Sequence, residues 1–288
     1  MAAMTTEQAS LPPEDDAHAI VPAGRLWRFR RAVRYRLTRG VLRLIMRACL
    51  RFRAEGMERL PVRPYVLCFN HLNWLDPLVI LVLWPTRPRV YFFGPKEQDM
   101  RVGGRNRMMS WLGTAVPYNP GKTNLLASTR KVGRVLAAGN LLAIAGEGRL
   151  SEEETVVLPL NEGPAFFALR NQVPLVPVAI NGTRWLRIGK RIRVRVVEPI
   201  ETAGRRASRE EVEALTARAH QSLSSMVADY RDEEPPGRFG RWLTDVFNER
   251  PWRARRAATA GAEPGPDAGG TSPPGEPPGE PPAGDPVR

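Results

Sequence analysis

The chain has 288 residues, 42% of them hydrophobic, a formal net charge of +13 at pH 7 and a pI near 10.8. The length allows one large domain with appendages or two small ones, and the charge calls for a negatively charged partner: nucleic acid, anionic lipid or a phosphorylated ligand. Two cysteines, Cys49 and Cys68, lie in apolar segments and give neither a disulfide framework nor paired metal-ligand spacing, and His18, His71 and His220 are too scattered for a zinc site.

Residues 1–24 are small, acidic and unpatterned and read as a disordered N-terminus; Glu7, Glu14, Asp15 and Asp16 speak against a secretory signal. No apolar run reaches the roughly 18 residues of a membrane span, so a transmembrane helix is not expected. Residues 25–55 are a basic helical segment in which arginines from Arg25 to Arg53 are threaded by Leu26, Phe29, Val33, Leu37, Val41, Leu44, Ala48 and Phe52, with a break expected at Gly40. Three readings stand. The stripe lies on an anionic bilayer, or it packs on the domain and leaves a solvated basic face, or the segment is a nucleic-acid arm, for which no recognised motif follows.

A compact α/β region comes next. Its expected strands are 65–69, 90–93, 114–117, 141–145, 176–180 and 191–197. Helices are expected at 77–84, 124–138, 164–171 and 209–230, an alternation that argues for a mixed sheet flanked by helices. Ser208 and Glu211 form a capping box for the last of these, with Val212, Leu215, Ala219, Leu223, Met226 and Tyr230 as its buried stripe. His220 lies there outside any motif and reads as structural or solvated. A short amphipathic piece, 239–248, docks on the domain or on lipid. Residues 251–288 are rich in Gly, Pro, Ala and Glu and read as a disordered tail.

The most informative segment is Phe69-Asn70-His71-Leu72-Asn73-Trp74-Leu75-Asp76-Pro77. The apolar run before it reads as a buried strand, and Asp76-Pro77 reads as an N-cap with Pro at the first helical position. His71 therefore falls at a strand's carboxyl end and Asp76 at a helix mouth, where open α/β folds place ligands. A helix-cap aspartate and a turn histidine would account for the same two residues without chemistry, and Asn70 and Asn73 brace the turn on either reading.

With the segments downstream, this His-x4-Asp arrangement resembles the glycerolipid acyltransferases, which include the 1-acylglycerol-3-phosphate and lysophospholipid acyltransferases. The resemblance implies a glycerol-3-phosphate acyltransferase-like fold over residues 56–250. It implies that His71 is general base on an acceptor hydroxyl, oriented by Asp76. The family's second motif, a glycine followed six residues later by a phosphate-binding arginine, falls on Gly113 and Asn119, and asparagine cannot supply the bidentate fork. Either Lys122 or Arg130 then takes the phosphate, or the acceptor carries a phosphodiester or no phosphate there. Tyr118-Asn119-Pro120-Gly121-Lys122-Thr123 resembles the branch acting on 2-acylglycerophosphoethanolamine.

The third motif falls on Gly146-Glu147-Gly148-Arg149-Leu150-Ser151, with Gly146 in place of proline. There the resemblance implies that Glu147 holds glycerol hydroxyls and Arg149 a phosphate, with Gly148 and Ser151 in the same site. An ordinary charged turn with Gly148 at positive φ accounts for the segment equally. The fourth motif is Val173-Pro174-Leu175-Val176-Pro177-Val178, whose prolines shape an edge or a strand entry and, by resemblance, line the acyl site. The family's Lys-x-Gly helix start falls on Asn161-Glu162-Gly163, where the lysine is missing.

The expected activity is therefore transfer of an acyl group from acyl-CoA or acyl carrier protein to a lysophospholipid hydroxyl, on the cytoplasmic face of an anionic membrane. It uses no metal, no cofactor beyond the acyl donor and no nucleic acid. A non-catalytic lipid-binding scaffold on the same fold is the alternative. The absence of a Gly-x-Ser-x-Gly elbow, a P-loop and a dinucleotide fingerprint disfavours a serine hydrolase or nucleotide enzyme.

Overall fold

A computed structural model describes residues 24–96, 104–118, 125–231 and 236–248. Its strands are β1 (Leu50–Glu55), β2 (Val66–Phe69), β3 (Val90–Lys96), β4 (Ala115–Tyr118), β5 (Leu141–Ala145), β6 (Leu175–Asn181) and β7 (Lys190–Val196). Its helices are α1 (Arg25–Cys49), α2 (Leu75–Leu83), α3 (Gly104–Leu112), α4 (Leu125–Ala137), α5 (Gly163–Arg170), α6 (Arg209–Val227) and α7 (Arg238–Phe247). The strands join in the order β1-β7-β6-β2-β5-β3-β4, a mixed sheet as expected. Every neighbouring pair is parallel except β6 with β7. The carboxyl ends of β2, β3, β4, β5 and β6 therefore share one rim with the amino ends of β7 and β1.

Alternating side chains divide the core. Leu67, Phe69, Val176, Val178, Ile192 and Val194 point to one face, with Tyr35 and Met46 of α1, the apolar body of α2, Met109 and Leu112 of α3, and Leu243 and Phe247 of α7. Val66, Cys68, Leu142 and Ala179 point to the other, under Val132 and Leu136 of α4, Ala165 and Leu169 of α5, and Leu215 and Leu223 of α6. One half of the expected capping box of α6 forms, Ser208 accepting from the Glu211 N–H, while the Glu211 carboxylate pairs with Arg205. Its buried stripe ends at Val227, with Met226 only partly buried.

Several expectations change. The basic helix runs unbroken through Gly40, an exposed position where a missing side chain costs only about 1 kcal/mol of propensity. It ends at Cys49 and not near Arg53, because Leu50–Glu55 pairs with β7 as an edge strand. The orientation of α1 is the larger surprise. Leu26, Phe29, Leu37, Val41 and Leu44 are exposed, while Arg31, Tyr35, Arg39 and Met46 face the domain. Packing of the apolar stripe on the domain is thereby overturned.

Buried arginine is tolerated there because it satisfies carbonyls. Arg39 donates to the Leu81, Val82 and Trp84 carbonyls and to Thr86 Oγ1. These are the orphan acceptors at the end of α2, which a cation suits best. Pro177 sits in a central strand, not at an edge. Its missing N–H faces the place where Val197, just past β7, donates to the Pro177 carbonyl at 3.0 Å, so the lost bond falls where the ladder is already ending. Residues 1–23 and 249–288, and with them both expected disordered tails apart from Gly24, lie outside the described residues.

Candidate active site

Asp76 is not the N-cap of α2. The helix begins at Leu75, and Asn73 Oδ1 accepts from the Leu75 N–H at 2.9 Å. Asp76 folds back one turn instead. Its Oδ2 accepts from the backbone N–H groups of Leu72 (2.7 Å) and Asn73 (2.8 Å), and lies 2.9 Å from His71 Nδ1. The carboxylate is fully buried and His71 only 14% exposed. A carboxylate tied to two N–H groups accepts from an imidazole N–H, so Nδ1 carries the proton in the neutral ring. Among the described residues Nε2 makes no hydrogen bond, and it is the nitrogen left for a substrate proton.

The turn carrying His71 is held on every side. Asn70 is buried and exchanges two hydrogen bonds with the backbone of Ile180, donating at 2.9 Å and accepting at 2.7 Å, which locks the end of β2 to β6. The His71 N–H donates to Glu147 Oε2 at 2.7 Å, and the His71 carbonyl accepts from the Ser151 N–H at 2.6 Å. The Trp74 N–H donates to Asn248 Oδ1 at the end of α7, 3.1 Å away. Phe69 meets the imidazole edge-on at 5.9 Å between ring centroids.

The third-motif residues converge on the rim, but most serve the turn. Glu147 is buried, and its other oxygen accepts from the Leu158 N–H at 2.9 Å. Burial pushes its carboxyl pKa up, while the two backbone N–H groups pull it down. Each Glu147 oxygen accepts one backbone N–H, so the carboxylate braces the His71 turn against the Leu158 segment. The Ser151 hydroxyl is likewise spent on Glu153 and Val156.

Gly146 replaces proline for a packing reason. Its N–H donates to the Phe69 carbonyl at 2.9 Å, and a Cβ there would meet Leu160 Cδ2 at 2.7 Å and Cys68 Sγ at 2.8 Å. Gly148 has φ +66°, as its turn requires, and a Cβ would strike Asn161 Nδ2 at 2.3 Å. Arg149 is exposed beside it, so its guanidinium is open to an anion.

The second motif separates. Gly113 precedes β4 on the amino rim, opposite His71, with φ +65° and its carbonyl held by Arg31 of α1. It is a turn residue and takes no part in the His71 rim. Asn119 and Lys122 lie outside the described residues, and Arg130 is exposed on α4. Pro177 is buried within β6 and paired with Cys68 of β2. Cys68 is a free, buried thiol whose pKa burial pushes up to about 12. His220 Nε2 lies 3.0 Å from the Val157 carbonyl, a structural contact.

Sequence reasoning missed Glu154, whose only signal was membership of the acidic run Glu152-Glu153-Glu154. It is buried, accepts from the N–H groups of Gly182 (2.7 Å) and Arg184 (3.0 Å), and its carbonyl accepts from Asn181 Nδ2 at 2.8 Å. Burial raises its carboxyl pKa to about 7. Among the described residues, no group of three or more His, Cys, Asp or Glu side chains is arranged to hold a metal.

Residues 51–181, from β1 through β6 and including His71 and Asp76, match the family model described as Acyltransferase. The fold is similar to that of the 1-acyl-sn-glycerophosphate (LPA) acyltransferase PlsC from Thermotoga maritima. The TM-score is 0.50 and the identity 22%, over 63% of this chain and 74% of that one. The matched segment carries β1 through β6, the His71–Asp76 turn and the Glu147 brace in one piece, and over these residues the chain is similar to the acyltransferases.

Proposed function

We propose that the protein transfers an acyl group from a thioester, acyl-CoA or acyl carrier protein, to a hydroxyl of a lysophospholipid. The observation that carries this reading is the 2.9 Å contact between His71 Nδ1 and a fully buried Asp76, which leaves Nε2 at the rim. Nε2 takes the hydroxyl proton as the acceptor oxygen attacks the thioester carbonyl. The thiolate then leaves and takes that proton back from the imidazolium. Asp76 holds the ring and offsets its transient charge. Direct attack requires no acyl-enzyme.

Asn119 in place of arginine favours an acceptor other than a phosphate monoester, such as lysophosphatidylethanolamine. The test is mass-spectrometric detection of a diacyl product from acyl-CoA and a panel of lysophospholipids on liposomes. Product is expected, with lysophosphatidylethanolamine used in preference to lysophosphatidate. A strong preference for lysophosphatidate would sink the acceptor assignment. No product from either donor, despite tight liposome binding, would favour the non-catalytic scaffold.

The outward stripe of α1 supports a peripheral site on the cytoplasmic face of an anionic membrane. No helix among the described residues is long and apolar enough to cross one. Leu37 and Leu44 are 66% and 73% exposed, with the exposed Arg36, Arg43 and Arg47 beside them. A leucine moved from water to an apolar phase gains about 1.5–3 kcal/mol. Leu37→Glu with Leu44→Glu is therefore expected to weaken sedimentation with phosphatidylglycerol-containing vesicles at least tenfold. Unchanged partitioning would remove α1 as the anchor.

A further inference from the structure

Strands β1 and β7 carry a second feature of the rim. Arg51, Arg53, Arg187, Arg191, Arg193 and Arg231 line an open groove of about 460 Å³ in which, among the described residues, Asp229 is the one lining carboxylate. On β7 the arginines alternate with the buried Ile192, Val194 and Val196, so they emerge on the face that α6 covers only in part. The parallel register sets Arg51 directly beside Arg191, and Arg53 beside Arg193. Like charges opposed across a ladder are destabilising.

Acidic neighbours offset only part of this. Glu55 pairs with Arg53 at 2.6 Å and Arg193 at 3.4 Å, and Asp229 pairs with Arg193 at 3.3 Å and Arg195 at 2.7 Å. Among the described residues no carboxylate pairs with Arg51 or Arg191. Charged edges do guard sheets against association. That accounts for Arg51 and Arg53 on β1, but not for arginines at the same level on the interior strand β7.

We propose that this groove binds a ligand bearing two or more phosphate groups. Guanidinium forks suit phosphate oxygens, and a dense arginine array suits more than one. The amino ends of β7 and β1 open on the His71 rim, about 10 Å and 14 Å from β2 along the sheet at ordinary strand spacing. The phosphates of a soluble ester such as coenzyme A and those of lipid head groups share this chemistry. The proposal does not require the acyl-transfer reading, since binding alone tests it.

The experiment compares the full chain with Arg51→Gln/Arg191→Gln and with a control, Arg206→Gln/Arg218→Gln, at exposed positions outside the groove. Binding is measured to coenzyme A in solution and, separately, to vesicles containing phosphatidylglycerol. The groove variant is expected to lose at least tenfold in affinity for one of the two, with the control unchanged. Loss confined to coenzyme A identifies a soluble phosphate ester; loss confined to vesicles identifies lipid phosphate.

Relief of like-charge opposition should leave the ligand-free thermal midpoint equal to or above that of wild type. Should the strand changes impair folding, Arg187→Gln/Arg231→Gln in the flanking segments replaces them. Unchanged affinity for both probes, or an equal loss in the control, overturns the proposal.

Discussion

Replacing His71 with alanine is expected to lower acyl transfer by about 10²–10⁴-fold, the range that a positioned general base contributes, while the protein keeps its fold. The contacts that hold residue 71 are made by its backbone, through Glu147 Oε2 and the Ser151 N–H, and alanine keeps them. What disappears is the imidazole, its bond to Asp76 and its edge contact with Phe69. Thermal unfolding should shift by no more than a few degrees, because the side chain is partly exposed and Asp76 retains its two backbone donors. Product formation by His71→Ala within about threefold of wild type would refute the general-base assignment, since the base is expected to supply at least 10²-fold.

The catalytic turn was legible because it is local. Asp76 follows His71 by five positions, strand and helix signals bracket them, and the same turn delivers both side chains to one point. The braces were not legible in the same way. Asn70 reaches Ile180 across 110 residues of chain, and Glu147 reaches back 76 residues to the His71 N–H. Their motifs marked them as site residues, but only tertiary structure shows that they spend their polar atoms on backbone. Gly113 shows the reverse failure. Its motif placed it with the site, whereas the parallel pairing of β3 with β4 puts the residue before β4 on the opposite rim.

The helical reading carried too far at Phe52 for a physical reason. Phe52 lies four residues after Ala48 and so extends a helical stripe, but Leu50-Arg51-Phe52-Arg53 also alternates with a period of two. Pairing with β7 decided for the strand. The direction of the α1 stripe was undecidable from periodicity, which gives one apolar face but not what that face meets. Arginine would not be expected to face a domain; three carbonyls at the end of α2 reverse that expectation for Arg39.

Asp76→Asn separates charge from geometry at this site. All three recorded bonds fall on one carboxylate oxygen, and Oδ1 is buried with no partner among the described residues. An asparagine that keeps its carbonyl oxygen at the Oδ2 position still accepts from Leu72, Asn73 and the imidazole N–H, and its amide group occupies the unused side. The histidine tautomer and turn geometry therefore survive, and the lost quantity is the negative charge beside the imidazolium. At an effective dielectric near 20, two unit charges about 4 Å apart attract by about 4 kcal/mol. Acyl transfer is accordingly expected to fall by about 10²–10³-fold, and the thermal midpoint to drop as well, because amide N–H donors replace a buried oxygen that has no partner. Asp76→Ala differs in stranding two buried N–H groups, at about 1–3 kcal/mol each, and loses stability along with activity. An asparagine variant with near-normal turnover would show that the carboxylate only caps the turn, and the catalytic reading of the pair would fall with it.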